Sequence, residues 1–176
     1  MNKFTLLLKH LWLDAADTRR AIPPDMAQRL AERVAASEQR HTGQIRICVE
    51  SSLPASYLWR LDCDTTLGML IRQRALTMFG KLRVWDTEHN NGVLIYVLLA
   101  EHAIEIIADR GLMQHVQATH WQSVVAHMSG AFQENRYEDG LTQALEETSG
   151  VLVTHFPRTD ASSPYRNELP DTPLLQ

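Results

Sequence analysis

Asn90-Asn91-Gly92-Val93-Leu94-Ile95-Tyr96-Val97-Leu98-Leu99, followed after three residues by Ala103-Ile104-Glu105-Ile106-Ile107-Ala108, decides the architecture. Gly92 to Leu99 is apolar at both sets of alternating positions, the pattern of a central strand covered on both faces. Ala100-Glu101-His102 leaves room only for a tight return, so Ala103 to Ala108 comes back antiparallel as a hairpin. Upstream, Gln44 to Glu50 (QIRICVE) alternates, with Ile45, Ile47 and Val49 on one face, and reads as another strand. It reaches the hairpin through a helix over 65–79, whose stripe is Leu67, Ile71, Ala75 and Met78 and whose cap is Asp64 or Thr65. A strand, a helix and a strand in that order form a crossover unit.

The flanks are helical. Ile22-Pro23-Pro24-Asp25 is a helix start, after which Met26, Leu30 and Val34 recur at four-residue spacing up to about His41. Thr119-His120-Trp121-Gln122 has the spacing of a capping box, opening a helix whose inner face is Trp121, Val125, Met128 and Phe132. Asn135 suits the left-handed conformation that ends it. A last helix carries Leu141, Leu145, Thr148 and Leu152 on one side. Helices on both sides of a small mixed sheet give an α/β fold, a three-layer α/β/α sandwich. The organisation is an amphipathic helix in residues 1–20, one α/β domain over 21–156, and a Pro-rich, disordered tail over 157–176.

In the N-terminal stretch Phe4, Leu7, Leu8, Leu11 and Trp12 fall at helical spacing and read as the face that docks on the domain. Lys9 and His10 interrupt the apolar run too early for a typical export signal, and the few cations argue against a membrane-surface helix. The run from Val93 to Ala100 is the longest apolar one and too short to span a bilayer, so no integral membrane segment is expected. Trp12 and Trp121 read as core, while Trp59 and Trp85 lie near loop ends, where they could line a binding surface.

With 44% hydrophobic and 22% charged residues the composition is that of a globular domain, and a formal net charge of -4 offers no field for holding nucleic acid. Two cysteines, Cys48 and Cys63, are too few for a disulfide framework, which points to a reducing compartment and a cytoplasmic location.

Three pieces in order, Asn90-Asn91-Gly92-Val93-Leu94-Ile95, Ile104-Glu105-Ile106 and Asp109-Arg110-Gly111-Leu112, resemble the TPM domain family. Phe132 to Gly140 resembles a later helical stretch of the same family, and the likeness spans roughly residues 22 to 156. Many TPM proteins carry an export signal and a C-terminal transmembrane helix; this chain resembles a soluble variant without the anchor, of a branch often found alongside membrane proteins. The resemblance implies either a binding or accessory domain serving a membrane-associated protein partner, or an acid-phosphatase-like activity. The usual turn, however, has two glycines and an acidic residue after the leucine. Here Asp109-Arg110 stands in the first part, and Met113-Gln114 follows Leu112.

The densest polar cluster is Asp86, Glu88, His89, Asn90 and Asn91, entering the central strand, with Asp109 and Arg110 leaving its neighbour. In a hairpin these two ends lie side by side, with His115 close by. Asp86, Glu88 and Asp109 are hard oxygen ligands of the kind Ca²⁺ or Mg²⁺ takes, and Arg110 suits an anion. The plainer alternative is that Asp109 and Arg110 form a turn ion pair while Asp86 and the asparagines cap loops. Metal-assisted hydrolysis would need Asp86 or Asp109 on the metal and Arg110 as anion clamp. No phosphate loop, zinc-binding helix, nucleophile elbow or phosphatase cysteine motif accompanies them.

Overall fold

The computed structural model describes residues 3–159 and 166–176. Strands β1 (Gln44–Glu50), β2 (Gly92–Leu98) and β3 (Ala103–Ala108) form the sheet expected from their patterns. β1 and β2 pair in parallel, with Gln44 opposite Gly92 and Glu50 opposite Leu98. β2 and β3 pair antiparallel, from Val93 opposite Ala108 to Leu98 opposite Ala103. Every residue of β1 and β2 is buried, which is why both alternating sets are apolar in β2. A 3₁₀ turn over Leu99–Glu101 and a left-handed His102 (φ 48°) close the hairpin.

Two cores lie on the two faces. Odd residues of β1 and β2 meet α3 (Pro24–Glu38), α7 (Ala118–Gln133) and α8 (Tyr137–His155), with Leu30, Phe132 and Leu141 fully enclosed. Even residues of β2 meet α1 (Lys3–Trp12), α4 (Ala55–Leu58) and α5 (Leu67–Lys81) through Leu6, Leu58, Leu70 and Met78. The three-layer α/β/α sandwich follows. A short α2 (Ala15–Ala21) and α6 (Arg110–Met113) complete the helices of the described residues.

Several local expectations are corrected. Thr66, not Asp64 or Thr65, caps α5, accepting from the Met69 amide at 3.3 Å. Helix α7 starts from Gln117 without a side-chain cap, so Thr119-Gln122 lies inside it rather than forming a capping box. Asn135 does take a left-handed φ of 59°. Residues 1–20 hold two helices, because Asp14 makes a capping box with Asp17 and starts α2 afresh.

The docking face of α1 also differs. Leu6 and His10 are buried, whereas Leu11 is 69% and Trp12 82% exposed. Polar contacts set this rotation: the His10 Nε2 bonds Glu101 at 3.1 Å and its Nδ1 accepts from the Leu53 amide at 3.0 Å. Because a backbone N–H is donated to Nδ1, the proton of the neutral ring sits on Nε2.

The tail is the largest correction. Residues 160–165 lie outside the described residues, but 166–176 return to the sheet. Leu174–Leu175 form β4, parallel to β1, giving the order β3-β2-β1-β4. The Gln176 amide donates to the Val49 carbonyl at 2.9 Å, and Ser51 donates to that of Gln176 at 2.8 Å. Gln44 accepts from the amides of Glu168 and Leu169, and the Arg46 Nη1 donates to the Pro170 and Thr172 carbonyls. Side chains of Gln44 and Arg46 and backbone groups of Val49 and Ser51, not local propensity, hold this Pro-rich stretch.

Candidate functional site

The corner where β2 begins and β3 ends gathers part of the expected cluster. Asn90 takes a left-handed φ of 52°, which turns its carbonyl toward Gly111. The Gly111 amide donates to that carbonyl at 2.9 Å. A Cβ on Gly111 would stand 2.5 Å from the Asn90 oxygen and 2.9 Å from that of His89, so only glycine permits this approach. The Asn90 Oδ1 accepts from the Arg110 Nε at 2.9 Å and Nη2 at 2.5 Å, fixing the guanidinium over the corner. These contacts join two segments twenty residues apart, as the hairpin geometry predicts.

Asp109 caps α6. Its Oδ1 accepts from the Arg110 amide at 2.7 Å, and its own amide donates to Gly92 at 2.9 Å. The residue is only 7% exposed, and its Oδ2 is buried without a hydrogen-bond partner. Burial pushes its carboxyl above the usual range, opposed by the Arg110 amide and charge. An unsatisfied buried carboxylate oxygen is uncommon and marks a place where a ligand, a water or a proton completes the structure.

The other candidates are engaged elsewhere. Asn91 is buried, with its amide donating to the Thr87 Oγ1 at 3.1 Å and its Nδ2 to the Thr42 Oγ1 at 3.2 Å, which makes it a loop clamp. Asp86 pairs with Arg83 at 2.6 Å on the surface. Glu88 is exposed, and its amide donates to Glu168 at 2.9 Å. Among the described residues no hydrogen bond or ion pair links Asp86 or Glu88 to Asp109. Nor do three His, Cys, Asp or Glu side chains among them converge to hold a metal ion. Asp86, Glu88 and Asp109 therefore do not assemble the oxygen cage that Ca²⁺ or Mg²⁺ takes.

What the corner does form is a cleft of about 220 Å³, lined by His89, Asn90, Arg110, Gly111, Gln114 and His115 with Phe156. No carboxylate lines it, whereas a guanidinium, two imidazoles and two side-chain amides do. Sequence reasoning placed His115 near this corner but missed Gln114 and Phe156, and no spacing signal marks either. His115 stacks on His155 at 5.0 Å and meets the Phe156 edge at 5.8 Å, so the end of α8 closes the cleft wall.

No described helix is long and apolar enough to cross a membrane. Among proteins of curated function none matches the chain. The chain is similar in structure to the BA42 protein of the psychrophilic bacterium Bizionia argentinensis, solved by NMR. That likeness has a TM-score of 0.66 at 24% identity, covers 84% of this chain and 90% of that one, and speaks to the fold. The profile of the TPM domain matches residues 15–151, the greater part of the chain including both strands and α6 at the corner. This chain belongs to the TPM domain family.

Proposed function

We propose that the chain is a non-catalytic binding domain, accessory to a membrane-associated partner, and that the cleft beside Arg110 takes a small anion, a phosphate or carboxylate group. The lining of that cleft carries the reading: Arg110, His89, His115 and Gln114 supply donors, and no carboxylate opposes them. Asn90 holds two of the guanidinium N–H groups, which orients Arg110 and leaves its outer donors for an anion. Cys48 is buried, with its thiol pushed up to about 12 chiefly by burial, and both cysteines are free, which suits a reducing, cytoplasmic setting.

The test is an amide NMR titration with inorganic phosphate, with Ca²⁺ and Mg²⁺ run separately. Saturable shifts at Asn90, Arg110, Gly111 and Gln114 with phosphate are expected, weakened about tenfold or more in Arg110→Ala by loss of a charge-assisted bond. Shifts with the cations alone, lost in Asp109→Asn, would replace the anion reading with a cation site. A phosphoester hydrolysis assay completes the test. Turnover that tracks the pure protein and collapses in Asp109→Ala would replace binding with metal-assisted hydrolysis.

A further inference from the structure

The turn that carries two residues of the anion cleft is anchored from the far end of the chain. Thr87 to Asn90 form a turn closed by the Asn90 amide, which donates to the Thr87 carbonyl at 3.1 Å. Glu88 and His89 are its central residues, and the left-handed Asn90 ends it. His89 lines the cleft, and Asn90 holds the Arg110 guanidinium. A turn of this kind leaves the amide of its second residue without an internal partner. Glu88 gives that amide to the Glu168 Oε2 at 2.9 Å, a charge-assisted bond across 80 positions of sequence.

Glu168 is itself fixed. Its amide donates to the Gln44 Oε1 at 2.8 Å, and the next amide, of Leu169, reaches the same oxygen at 3.1 Å. Gln44 is buried and stands opposite Gly92, two residues past the turn. Leu169 is packed in the core on the α5 face, and Arg46 holds the Pro170 and Thr172 carbonyls. The tail is thus docked at the same end of the sheet as the corner, with one carboxylate placed against the turn. On its other flank the turn meets the Thr42 Oγ1 through Asn91. The Thr42 amide donates in turn to the carbonyl of Phe156, which lines the cleft, at 2.9 Å.

We propose that residues 166–176 are a strap that tunes the anion cleft, with Glu168 as its positioning residue. With the strap docked, Glu168 holds the turn so that Asn90 orients Arg110; with the strap off β1, the turn loosens and anion affinity falls. The inference rests on the anion reading of the cleft. Strap docking and anion binding then strengthen each other by the same factor, because coupling between two sites is reciprocal. Electrostatics alone predicts the opposite sign. Glu168 brings a negative charge to the turn, so its removal without a positioning effect would tighten an anion.

Glu168→Ala and Glu168→Gln in the full chain separate the two effects, since glutamine loses the charge but keeps an acceptor oxygen. Both leave the backbone bonds from the strap to Gln44 and Arg46 in place. Without any anion, Glu168→Ala should speed amide exchange at Gly111, whose N–H rests on the Asn90 carbonyl, by about threefold or more. Glu168→Gln should stay near the parent. Inorganic phosphate, followed by amide shifts at Arg110 and Gln114, should bind about fivefold more weakly to Glu168→Ala and at least as well as the parent to Glu168→Gln. In the parent chain, saturating phosphate should slow exchange of the Leu169 amide by about the same factor. Unchanged Gly111 exchange in Glu168→Ala, or tighter phosphate binding in both variants, overturns the proposal. A parent chain without phosphate shifts overturns the anion reading instead, and Gly111 exchange still decides whether the strap positions the turn.

Discussion

Glu50 and Asp109 are both buried carboxylates, and they sit at opposite ends of the sheet. Glu50 lies opposite Leu98, where β1 and β2 finish, and Asp109 lies beside Gly92, where β2 begins. Glu50 accepts from the Arg74 Nε and the Tyr96 hydroxyl, both at 2.7 Å, and from the Arg74 Nη2 at 2.5 Å. The Arg74 guanidinium also lies 5.6 Å from the Tyr57 ring centre. Asp109 has one satisfied oxygen and one without a partner. Burial of a carboxylate is thus no mark of function by itself. The number of carboxylate oxygens left without a donor is what separates a structural acid from one open to a ligand.

The largest effect expected is at the closed end. Arg74→Ala leaves Glu50 buried without its cation, which should cost about 3–5 kcal/mol. Arg110→Ala at the open end removes an exposed side chain and should cost less than about 1 kcal/mol. Urea unfolding of the two variants measures both, and equal losses would erase the distinction between the two ends.

Acidification sharpens the contrast within the open end. His41, just before β1, is fully buried; its Nδ1 donates to the Gly43 carbonyl at 3.1 Å, so its Nε2 accepts from the Ser37 hydroxyl at 2.9 Å. Burial pushes its pKa down to about 4 from 6.5. The unfolded chain therefore takes up this proton first, and stability falls as pH drops from 6.5 toward 4, by about 3 kcal/mol in total. Asp109 has the opposite sign. Its raised carboxyl protonates first in the native state, so its contribution is present at low pH and is lost as pH rises through the folded value. Unfolding midpoints between pH 4 and 7 should fall with acid in the parent chain and fall less in His41→Gln. An unchanged acid slope in that variant would show that His41 is not the group responsible.

Tyr96→Phe is expected to be milder, at about 2 kcal/mol, because it removes one bond to a charged acceptor while Arg74 still satisfies Glu50. A loss as large as that of Arg74→Ala would mean that the hydroxyl, not the guanidinium, anchors the closed end.

Much of this was legible in the sequence, and the exceptions share a cause. The hairpin could be read because Gly92–Leu98 is apolar on both faces and only a short turn separates it from Ala103. The same logic brought Asn90 to Arg110. It failed for Asp86 because a left-handed Arg83 (φ 55°) folds back to claim that carboxylate locally. Helix α1 has apolar residues on more than one face, so spacing could not decide which face docks; the partners of His10 lie 43 and 91 residues away in Leu53 and Glu101. The tail was misread for the same reason, since a segment held by carbonyls meeting Arg46 carries no periodic signal of its own.

Asp109→Asn tests the comparison with the smallest change. The substituted amide oxygen still accepts from the Arg110 N–H, so the cap of α6 survives. The charge whose second oxygen lacks a partner disappears, and with it the burial cost that raises the carboxyl. Stability at neutral pH should therefore change by less than about 1 kcal/mol and move upward, flattening the Asp109 part of the acid profile. Glu50→Gln, by contrast, takes a charge from beside a buried guanidinium and must lose stability. If Asp109→Asn instead loses as much as Glu50→Gln, the second oxygen has a structural partner such as bound water. Asp109 would then belong with Glu50 as part of the frame, and the corner's binding capacity would rest on Arg110 and the histidines alone.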